Sequence, residues 1–187
     1  MTKTRDNSLT MNYSGKYGNQ FVYRTREDMS ILAKKPKKSK NPPTVSQSET
    51  RVRFQEATIW AKKALQDPDI LAVYAARAKG MKTPYILAVT NHMHPPVVKE
   101  IITEEYTGEI GSAIGVKVLN NFYINGVMVK ITDASGTLVE QGPCTLDPFG
   151  VIWGYTATKE ITNLTGVVIT AVAKDYPKHT GSLSVTL

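Results

Sequence analysis

Residues 126–142 read GVMVKITDASGTLVEQG, which is two alternating runs joined by the turn sequence DASG. Successive side chains of an extended chain point to opposite faces, so Val127, Val129 and Ile131 share one face. Asp, Ser and Gly favour tight turns, because their side chains bond to nearby backbone groups or permit a positive φ. The stretch therefore predicts an antiparallel hairpin with one apolar face.

Similar short runs of β-branched residues occur on both sides of this hairpin in the sequence. The runs are EIIT, GVKVL, GVMVKIT, TLVEQG, VIWGYTAT, VVITAVA and SLSVTL, with NG, ASG and TG turns between them. In VVITAVA the alternation groups Val168, Thr170 and Val172. Seven short strands in about 90 residues are typical of an immunoglobulin-like antiparallel β-sandwich, which we expect over residues 97–187.

Residues 46–94 have helical periodicity and are expected to form a small three-helix module. Ser46 and Glu49 match the S-x-x-E capping box, which predicts a first helix from about Gln47 to Leu65. Apolar residues at three- and four-residue steps define its expected buried stripe: Phe54, Ala57, Ala61, Ala64 and Leu65.

Two further helices are predicted where a capping residue precedes proline, at Asp67-Pro68 and at Thr83-Pro84. Proline suits the first helical position, because its missing N–H would have no partner there. The third helix should end at about Asn91. The expected buried stripe of the second helix is Leu71, Tyr74, Ala75 and Ala78.

The start of the chain predicts an arm followed by a hairpin. Residues 1–14 are polar and without pattern, whereas residues 15–33 contain two short alternating runs around REDM. A two-stranded hairpin alone is marginal in water, so it must lie against the next module, a second chain or a large assembly. We expect three aromatic residues of the hairpin to dock there: Tyr17, Phe21 and Tyr23.

Positive charge is concentrated in the first half of the chain. Residues 1–96 hold 17 Lys and Arg against 7 Asp and Glu, a net charge of +10, whereas residues 97–187 hold 6 against 9, a net charge of −3. A basic, proline-containing linker at residues 34–45 lies at the centre of this charge. The candidate partner- or phosphate-binding residues are Lys34, Lys35, Lys37, Lys38, Lys40, Arg51, Arg53, Lys62 and Lys63. A lysine run suits phosphate contacts, a solvated tether or an acidic protein surface.

Catalytic signatures are weak throughout the sequence. His92 and His94 form an HxH pair, but no third ligand follows at a recognisable spacing, so we predict no metal site. Cys144 has no histidine nearby in sequence, no G-x-S-x-G or phosphate-binding glycine motif occurs, and His179 is expected on a surface turn. We predict a protein that is not an enzyme, with no catalytic residue and no cofactor. An enzyme would use the loops around His92, His94 and Asp147.

Targeting features are also sparse. A single cysteine cannot form an internal disulfide, the first residues lack the apolar core of a signal peptide, and no run approaches the ~20 apolar residues of a membrane span. We expect synthesis in the cytoplasm without a signal peptide. Incorporation into a particle and export by a non-Sec route are the alternatives to a cytoplasmic location.

Two family resemblances follow from longer motifs. GVMVKITDASGTLVEQG, WGYTAT and GVVITAVAKDYPKHTGSLSV together resemble a bacterial immunoglobulin-like domain over about half of the chain, which implies adhesion, spacing or display within larger structures. GKYGNQFVYRTRED, followed by KPKKSKNPPTVSQSETRVRFQEATIWAKKALQDPDILAVYAARA, is similar to small uncharacterised proteins of the Bacteroidetes. Its R-x-R-F helix is also similar to helices of phage-like and mobile-element proteins.

These features predict a non-enzymatic structural or interaction protein. Its basic first half would dock onto a protein partner with an acidic surface, in a larger assembly such as a phage-like or contractile particle, and oligomerisation is compatible with this. The alternative is a sequence-nonspecific nucleic-acid-binding protein that uses the Lys-rich segment and the first helix. Duplex binding that weakens steeply with salt would favour the alternative.

Overall fold

The structure is a computed structural model, and it describes residues 2–4, 13–26, 29–37, 41–119 and 123–187. The chain divides into two compact units, residues 1–87 and residues 88–187, which we call the first and the second unit. This division lies inside the helix Pro84–Met93, whereas the sequence placed a boundary between His94 and Val97. The hairpin, three helices and antiparallel sandwich expected from the sequence amount to an α+β fold. The structure is of the α+β class, with mostly β content and antiparallel sheets.

An antiparallel sheet forms the beginning of the first unit. Its strands are β1 (Thr2–Thr4), β2 (Gly15–Tyr17), β3 (Phe21–Arg26) and β4 (Met29–Lys34), in the spatial order β1-β4-β3-β2. β3 and β4 form the expected hairpin, and residues 27–28 of its turn lie outside the described residues. β2 extends the hairpin on one side and β1 on the other, so part of the predicted arm belongs to the sheet.

Three helices follow the sheet: α1 (Val45–Ala64), α2 (Pro68–Ala75) and α3 (Pro84–Met93). Asp67 caps α2 by accepting the N–H of Asp69 at 2.9 Å, and Thr83 caps α3 by accepting the N–H of Ile86 at 3.3 Å. Both predicted helix starts are therefore confirmed. Among the described residues, no helix is both long and apolar enough to cross a membrane.

The start of α1 differs from the predicted capping box at Ser46 and Glu49. Thr44 is the N-cap: its hydroxyl accepts the N–H of Gln47 at 3.3 Å, and the Gln47 side-chain oxygen accepts the N–H of Thr44 at 3.2 Å. Thr44 has the extended backbone that an N-cap requires, directly after two prolines. The helix can therefore begin at Val45, and the predicted box is wrong by two residues.

The buried stripes of α1 and α2 are narrower than predicted. Ala57 and Ala61 are fully buried, but Phe54 is 52% exposed. Trp60 of α1 packs edge-on against the buried Tyr74 of α2, with ring centroids 6.5 Å apart. The other residues of the two predicted stripes are half-buried or exposed: Ala64, Leu65, Leu71, Ala75 and Ala78. Periodicity identifies the apolar side of a helix, but the elements that pack there decide how much of it is covered.

The second unit contains two antiparallel sheets within its described residues. Its strands are β5 (Val97–Ile102), β6 (Ala113–Leu119), β7 (Ile124–Thr132), β8 (Leu138–Pro143), β9 (Thr145–Leu146), β10 (Ile152–Thr156), β11 (Val168–Asp175) and β12 (Thr180–Thr186). One sheet has the order β5-β6-β10-β9 and the other the order β12-β11-β7-β8. The chain crosses from one sheet to the other at Cys144, since β8 and β9 belong to different sheets.

The hairpin predicted from residues 126–142 is confirmed as β7 and β8. In its turn, Oδ1 of Asp133 accepts hydrogen bonds from the N–H and hydroxyl of Ser135, at 2.9 Å and 2.6 Å, and from the N–H of Thr137 at 2.9 Å. These bonds, with that of the Ser135 hydroxyl first, lower the pKa of Asp133. Gly136 follows with a φ of 84°, which favours glycine.

The inner faces of the two sheets enclose a single apolar core. The three β7 residues predicted to share a face are almost fully buried there. In β11 the buried residues are those opposite them, since Ile169 pairs with Ile131 and Ala171 with Val129. The residues that the pattern singled out in β11 lie on the other face and are half-buried: Val168, Thr170 and Val172. The predicted alternation is present, but its buried face depends on the register with β7.

Candidate functional site

The first sheet brings the three predicted docking aromatics onto one face. Directly opposite residues in an antiparallel pair share a face, and Phe21 lies opposite Tyr17 on β2 and opposite Lys34 on β4. Tyr23, two residues along β3, lies on the same face as Phe21 and opposite Leu32. We call this surface the aromatic face, and its residues are Tyr17, Phe21, Tyr23, Leu32 and Lys34.

The aromatic face is open to solvent. Tyr17 is 71% exposed and Phe21 is 38% exposed, although large aromatic side chains usually lose most of their surface on folding. On the opposite face of the sheet, Ile31 is buried and Val22 and Ala33 are half-buried. The aromatic rings of Tyr17 and Phe21 are therefore adjacent and accessible on one side of the sheet.

Tyr13 enlarges the aromatic face at the β2 side. Its ring centroid lies 6.2 Å from that of Tyr23, and its carbonyl oxygen accepts the hydroxyl hydrogen of Thr25 at 3.1 Å. Gly15, with a φ of 118°, stands opposite Tyr23 on β2, so β2 places no side chain over that ring. A groove of about 360 Å³ opens there, lined in part by Tyr13, Tyr17 and Tyr23.

A second groove, of about 870 Å³, adjoins the other end of the aromatic face. Its lining residues are Asn19, Gln20, Phe21, Lys34, Lys35, Pro36 and Lys37. Lys35 is held in place, because its backbone N–H donates to the carbonyl oxygen of Gln20 at 2.8 Å and its ammonium donates to the side-chain oxygen of Asn19. Lys34 and Lys37 are exposed, and within the described residues neither has a carboxylate partner.

The four basic candidates of α1 do not share one side of the helix. Two further candidates lie outside the described residues: Lys38 and Lys40. Arg51, Arg53, Lys62 and Lys63 are exposed on α1, where each residue advances by about 100° around the helix axis. Arg51 and Lys62 share one side of α1, whereas Arg53 is about 200° from Arg51. α1 thus carries its positive charge around its circumference.

The two histidines of the HxH pair, His92 and His94, contact different groups. The ring of His92, within α3, meets the ring of His179 at a centroid distance of 4.6 Å, whereas Nδ1 of His94 lies 2.9 Å from the carbonyl oxygen of Thr90. Asp175 is 2% exposed: its Oδ1 accepts the N–H of His179 at 2.7 Å and its Oδ2 lies 3.0 Å from Nδ1 of His179. His179 is therefore fixed in the β11–β12 turn. The described part of the chain contains no group of three or more His, Cys, Asp or Glu that could hold a metal ion.

Asp147 is the third residue that the sequence offered as a candidate for an enzyme. Its side chain accepts hydrogen bonds within the turn that it belongs to. Its Oδ1 accepts the N–H of Val151 at 2.7 Å and the N–H of Ile152 at 3.1 Å. These bonds set the turn between β9 and β10, so the carboxylate has a local structural role.

A second buried carboxylate, Glu140, joins β8 to the segment after β10. Its Oε2 accepts the N–H and hydroxyl of Thr158, at 2.9 Å and 2.6 Å, and the N–H of Lys159 at 3.2 Å. Burial, reinforced by Glu140, raises the pKa of Tyr155 to about 12. Burial also raises the pKa of the Cys144 thiol to about 11. Cys144 is therefore protonated at neutral pH and lacks the thiolate that a nucleophile needs.

Tyr13 is the residue of this surface that the sequence analysis missed, because it lies in the segment assigned to the polar arm. The available signal was YSGKY, in which a tyrosine stands just before a glycine and a short strand. Only the pairing of β2 with β3 identifies the ring that Tyr13 meets.

Comparisons with known proteins do not assign the chain to a family. No family model matches it, and no curated protein matches it. Among solved structures, an engineered protein is similar at 15% identity and a TM-score of 0.36, over 55% of this chain and 25% of that chain. CopC from Methylosinus trichosporium OB3b is similar at 12% identity and a TM-score of 0.35, over 49% of this chain and 91% of that chain.

A group B Streptococcus pullulanase is similar at 16% identity and a TM-score of 0.30, over 49% of this chain and 10% of that chain. The chain thus spans a quarter of the engineered protein and a tenth of the pullulanase. At TM-scores this low, none of these likenesses supports an inference about function.

Proposed function

We propose that the protein is a non-enzymatic interaction protein that docks onto a larger partner through the aromatic face. One observation carries this proposal: Tyr17, Phe21 and Lys34 lie side by side and exposed on one face of an antiparallel sheet. Single exposed aromatics are ordinary, but rings on adjacent strands form a contiguous patch. A partner that covers this patch gains about 25 cal/mol for each Å² of apolar surface removed from water.

Charge defines the partner further. Lys34 and Lys37 lie beside the rings without carboxylate partners in the described residues, within a half-chain whose 17 Lys and Arg stand against 7 Asp and Glu. Such an excess attracts negatively charged surfaces and raises the rate of association with them. The partner is an acidic macromolecular surface, either of protein or, in the alternative, of nucleic acid.

We infer that the second unit is an immunoglobulin-like β-sandwich that acts as a spacer or display module. Its sheet orders, β5-β6-β10-β9 and β12-β11-β7-β8, correspond to strands A-B-E-D and G-F-C-C′ of immunoglobulin-like domains. The single core between the sheets supports the same assignment. Its residues 97–187 hold 6 Lys and Arg against 9 Asp and Glu, so its surface differs in charge from that of the docking unit.

A large assembly, such as a phage-like or contractile particle, suits this division. The first unit would attach to the assembly, and the second would face outward or brace a neighbour, including a second copy of the chain. The similarity of the R-x-R-F helix to helices of phage-like and mobile-element proteins supports this setting. The protein would be made in the cytoplasm and reach its position with the particle or by a non-Sec route.

Photo-crosslinking tests the proposal. Tyr17 is replaced by benzoylphenylalanine in the full chain within cells that make the protein, and the same amino acid at Phe149, 88% exposed in the second unit, is the control. We expect a light-dependent adduct of higher mass at position 17 and none at position 149. No adduct at position 17, or equal yields at both positions, would contradict docking through the aromatic face.

A further inference from the structure

We propose that the aromatic face binds single-stranded nucleic acid, with bases stacked on its rings and phosphates held by the lysines at its end. This inference rests on the proposed docking function and names the chemistry of the partner. The stacking residues are Tyr17, Phe21 and Tyr23, with Tyr13 at the side, and the phosphate-binding residues are Lys34, Lys35 and Lys37.

The rings are the first argument. Exposed aromatic side chains on a sheet offer flat π-surfaces on which unpaired bases stack, and each stacked base is worth about 1–3 kcal/mol. Four-stranded sheets that bind single-stranded RNA use aromatic residues of neighbouring strands in this way. The exposure of Tyr17 and Phe21 leaves their rings accessible to such a ligand.

The spacing of the rings suits a strand of successive bases. Phe21 and Tyr23 are two residues apart along β3, which corresponds to about 7 Å, and Tyr17 lies on the neighbouring strand at about 4.8 Å. The ring of Tyr13, tilted by 46° against that of Tyr23, continues the series beyond the sheet. An extended, unpaired strand can therefore place consecutive bases across the face.

The lysines lie beside the rings, where the phosphate backbone of a bound single-stranded nucleic acid would pass. Lys34 stands directly opposite Phe21, and the 870 Å³ groove beside them is lined by Lys35 and Lys37. The anchoring of Lys35 to Gln20 and Asn19 fixes this part of the groove before a ligand arrives. Ammonium groups next to exposed rings match a ligand with alternating bases and phosphates.

A duplex fits this surface poorly. Paired bases already stack on one another, so their faces cannot cover the rings of the aromatic face. Recognition through a duplex backbone would need a continuous basic stripe, but Arg51 and Arg53 point to nearly opposite sides of α1. An acidic protein would need apolar side chains beside its carboxylates to cover Tyr17 and Phe21 as well as Lys34, whereas every nucleotide carries a flat base and a phosphate together. The combination of rings and lysines in one row therefore favours single-stranded nucleic acid.

Fluorescence anisotropy with the full chain tests the inference. The probes are fluorescein-labelled oligothymidylate and oligouridylate of about 15 nucleotides, and a labelled duplex of the same length, between about 50 mM and about 200 mM salt. We expect both single strands to bind more tightly than the duplex at every salt concentration. A preference for oligouridylate would identify RNA as the natural ligand through its 2′-hydroxyl, and a preference for oligothymidylate would identify DNA.

Variants separate stacking from charge. Tyr17→Ala and Phe21→Ala should each weaken binding of the single strands by about 5- to 150-fold without changing the salt dependence. The double variant Lys34→Gln and Lys37→Gln keeps the rings, and the slope of log affinity against log salt should fall by about 1.4. Phe149→Ala, on the second unit, is the matched control and should bind like the wild type.

Three results would overturn the inference: wild-type affinity in both ring variants, an unchanged salt slope in the lysine variant, or tighter binding to the duplex. If circular dichroism shows that a ring variant is unfolded, the salt dependence of binding in the lysine variant tests the inference instead. Photo-crosslinking at Tyr17 separates this inference from the docking function. A peptide adduct together with no affinity for the single strands would retain docking and refute the nucleic-acid ligand, whereas absence of any adduct would refute docking itself.

Discussion

Replacing Gly181 with alanine tests how β12 lies against the segment that leads into β5. A Cβ atom at Gly181 would lie 2.2 Å from the carbonyl oxygen of Pro96, 3.0 Å from its carbonyl carbon and 3.4 Å from Cα of Val97. All three are backbone atoms, so no side-chain rotation can relieve the contact. Either β12 or the segment at Pro96 must move by about 1 Å to restore ordinary van der Waals separation.

The expected cost follows from this displacement. Extra atoms in a well-packed site destabilise a protein by about 1–3 kcal/mol, and a contact with rigid backbone belongs to the upper part of that range. A shift of β12 would also strain its pairing with β11, which runs from Thr180 opposite Lys174 to Thr186 opposite Val168. We expect Gly181→Ala to lower the free energy of unfolding of the second unit by about 2–3 kcal/mol.

Urea unfolding followed by the fluorescence of Trp153 measures this change, in a Trp60→Phe background that leaves one tryptophan. Gly126→Ala is the matched control, because a Cβ at that position has no neighbouring atom within 4 Å. The free energy of unfolding of Gly126→Ala should differ from that of the wild type by less than about 0.5 kcal/mol. If Gly181→Ala and Gly126→Ala unfold at the same urea concentration, the close approach of β12 to Pro96 is refuted.

Three further predictions concern local structure. Thr44→Ala should destabilise α1 by about 1 kcal/mol in urea titrations followed by circular dichroism, because it removes the N-cap, whereas equal losses in Ser46→Ala would contradict this cap. The stability that Asp133 contributes should be present above its ordinary pKa of 3.8 and be lost as pH falls through its lower folded pKa. If the urea midpoints of Asp133→Asn and of the wild type vary with pH in the same way, this contribution is contradicted. With its pKa raised from 9.0 to about 11, Cys144 should react with Ellman's reagent about 100-fold more slowly in the native than in the unfolded chain, and equal rates would disprove its burial.

Local patterns predicted the elements whose signals lie within a few residues. The β7–β8 hairpin follows from alternation and from the turn chemistry of Asp133, and α2 and α3 follow from a cap and a proline. Burial was harder to predict, since it depends on distant partners. Phe54 has the right periodicity for a buried stripe, but only Ala57 and Ala61 of α1 are covered. In β11 the register with β7 decides which alternate residues face the core.

In the candidate site, too, the sequence predicted local features but not those that depend on strand pairing. Tyr17, Phe21 and Tyr23 could be selected from the sequence as the aromatic residues of the expected hairpin. The row that joins Phe21 to Lys34 could not, because it depends on the pairing of β3 with β4, and a shift of one residue would move Lys34 to the other face. The sequence also grouped the basic residues of α1 into one binding surface, but the rotation of about 200° from Arg51 to Arg53 places these two residues on different sides of the helix.

The burial of Cys144 makes the chain suitable for site-specific spectroscopy. The sequence contains one cysteine, and in the folded protein its protonated thiol is covered, so an introduced surface cysteine is the reactive one. Ile59→Cys, at a residue of α1 that is 69% exposed, and Phe149→Cys would carry a dye pair with one label on each unit, without removal of the native cysteine and without a change to the aromatic face. Energy transfer between the dyes would then report directly whether a partner on the aromatic face changes the separation of the two units.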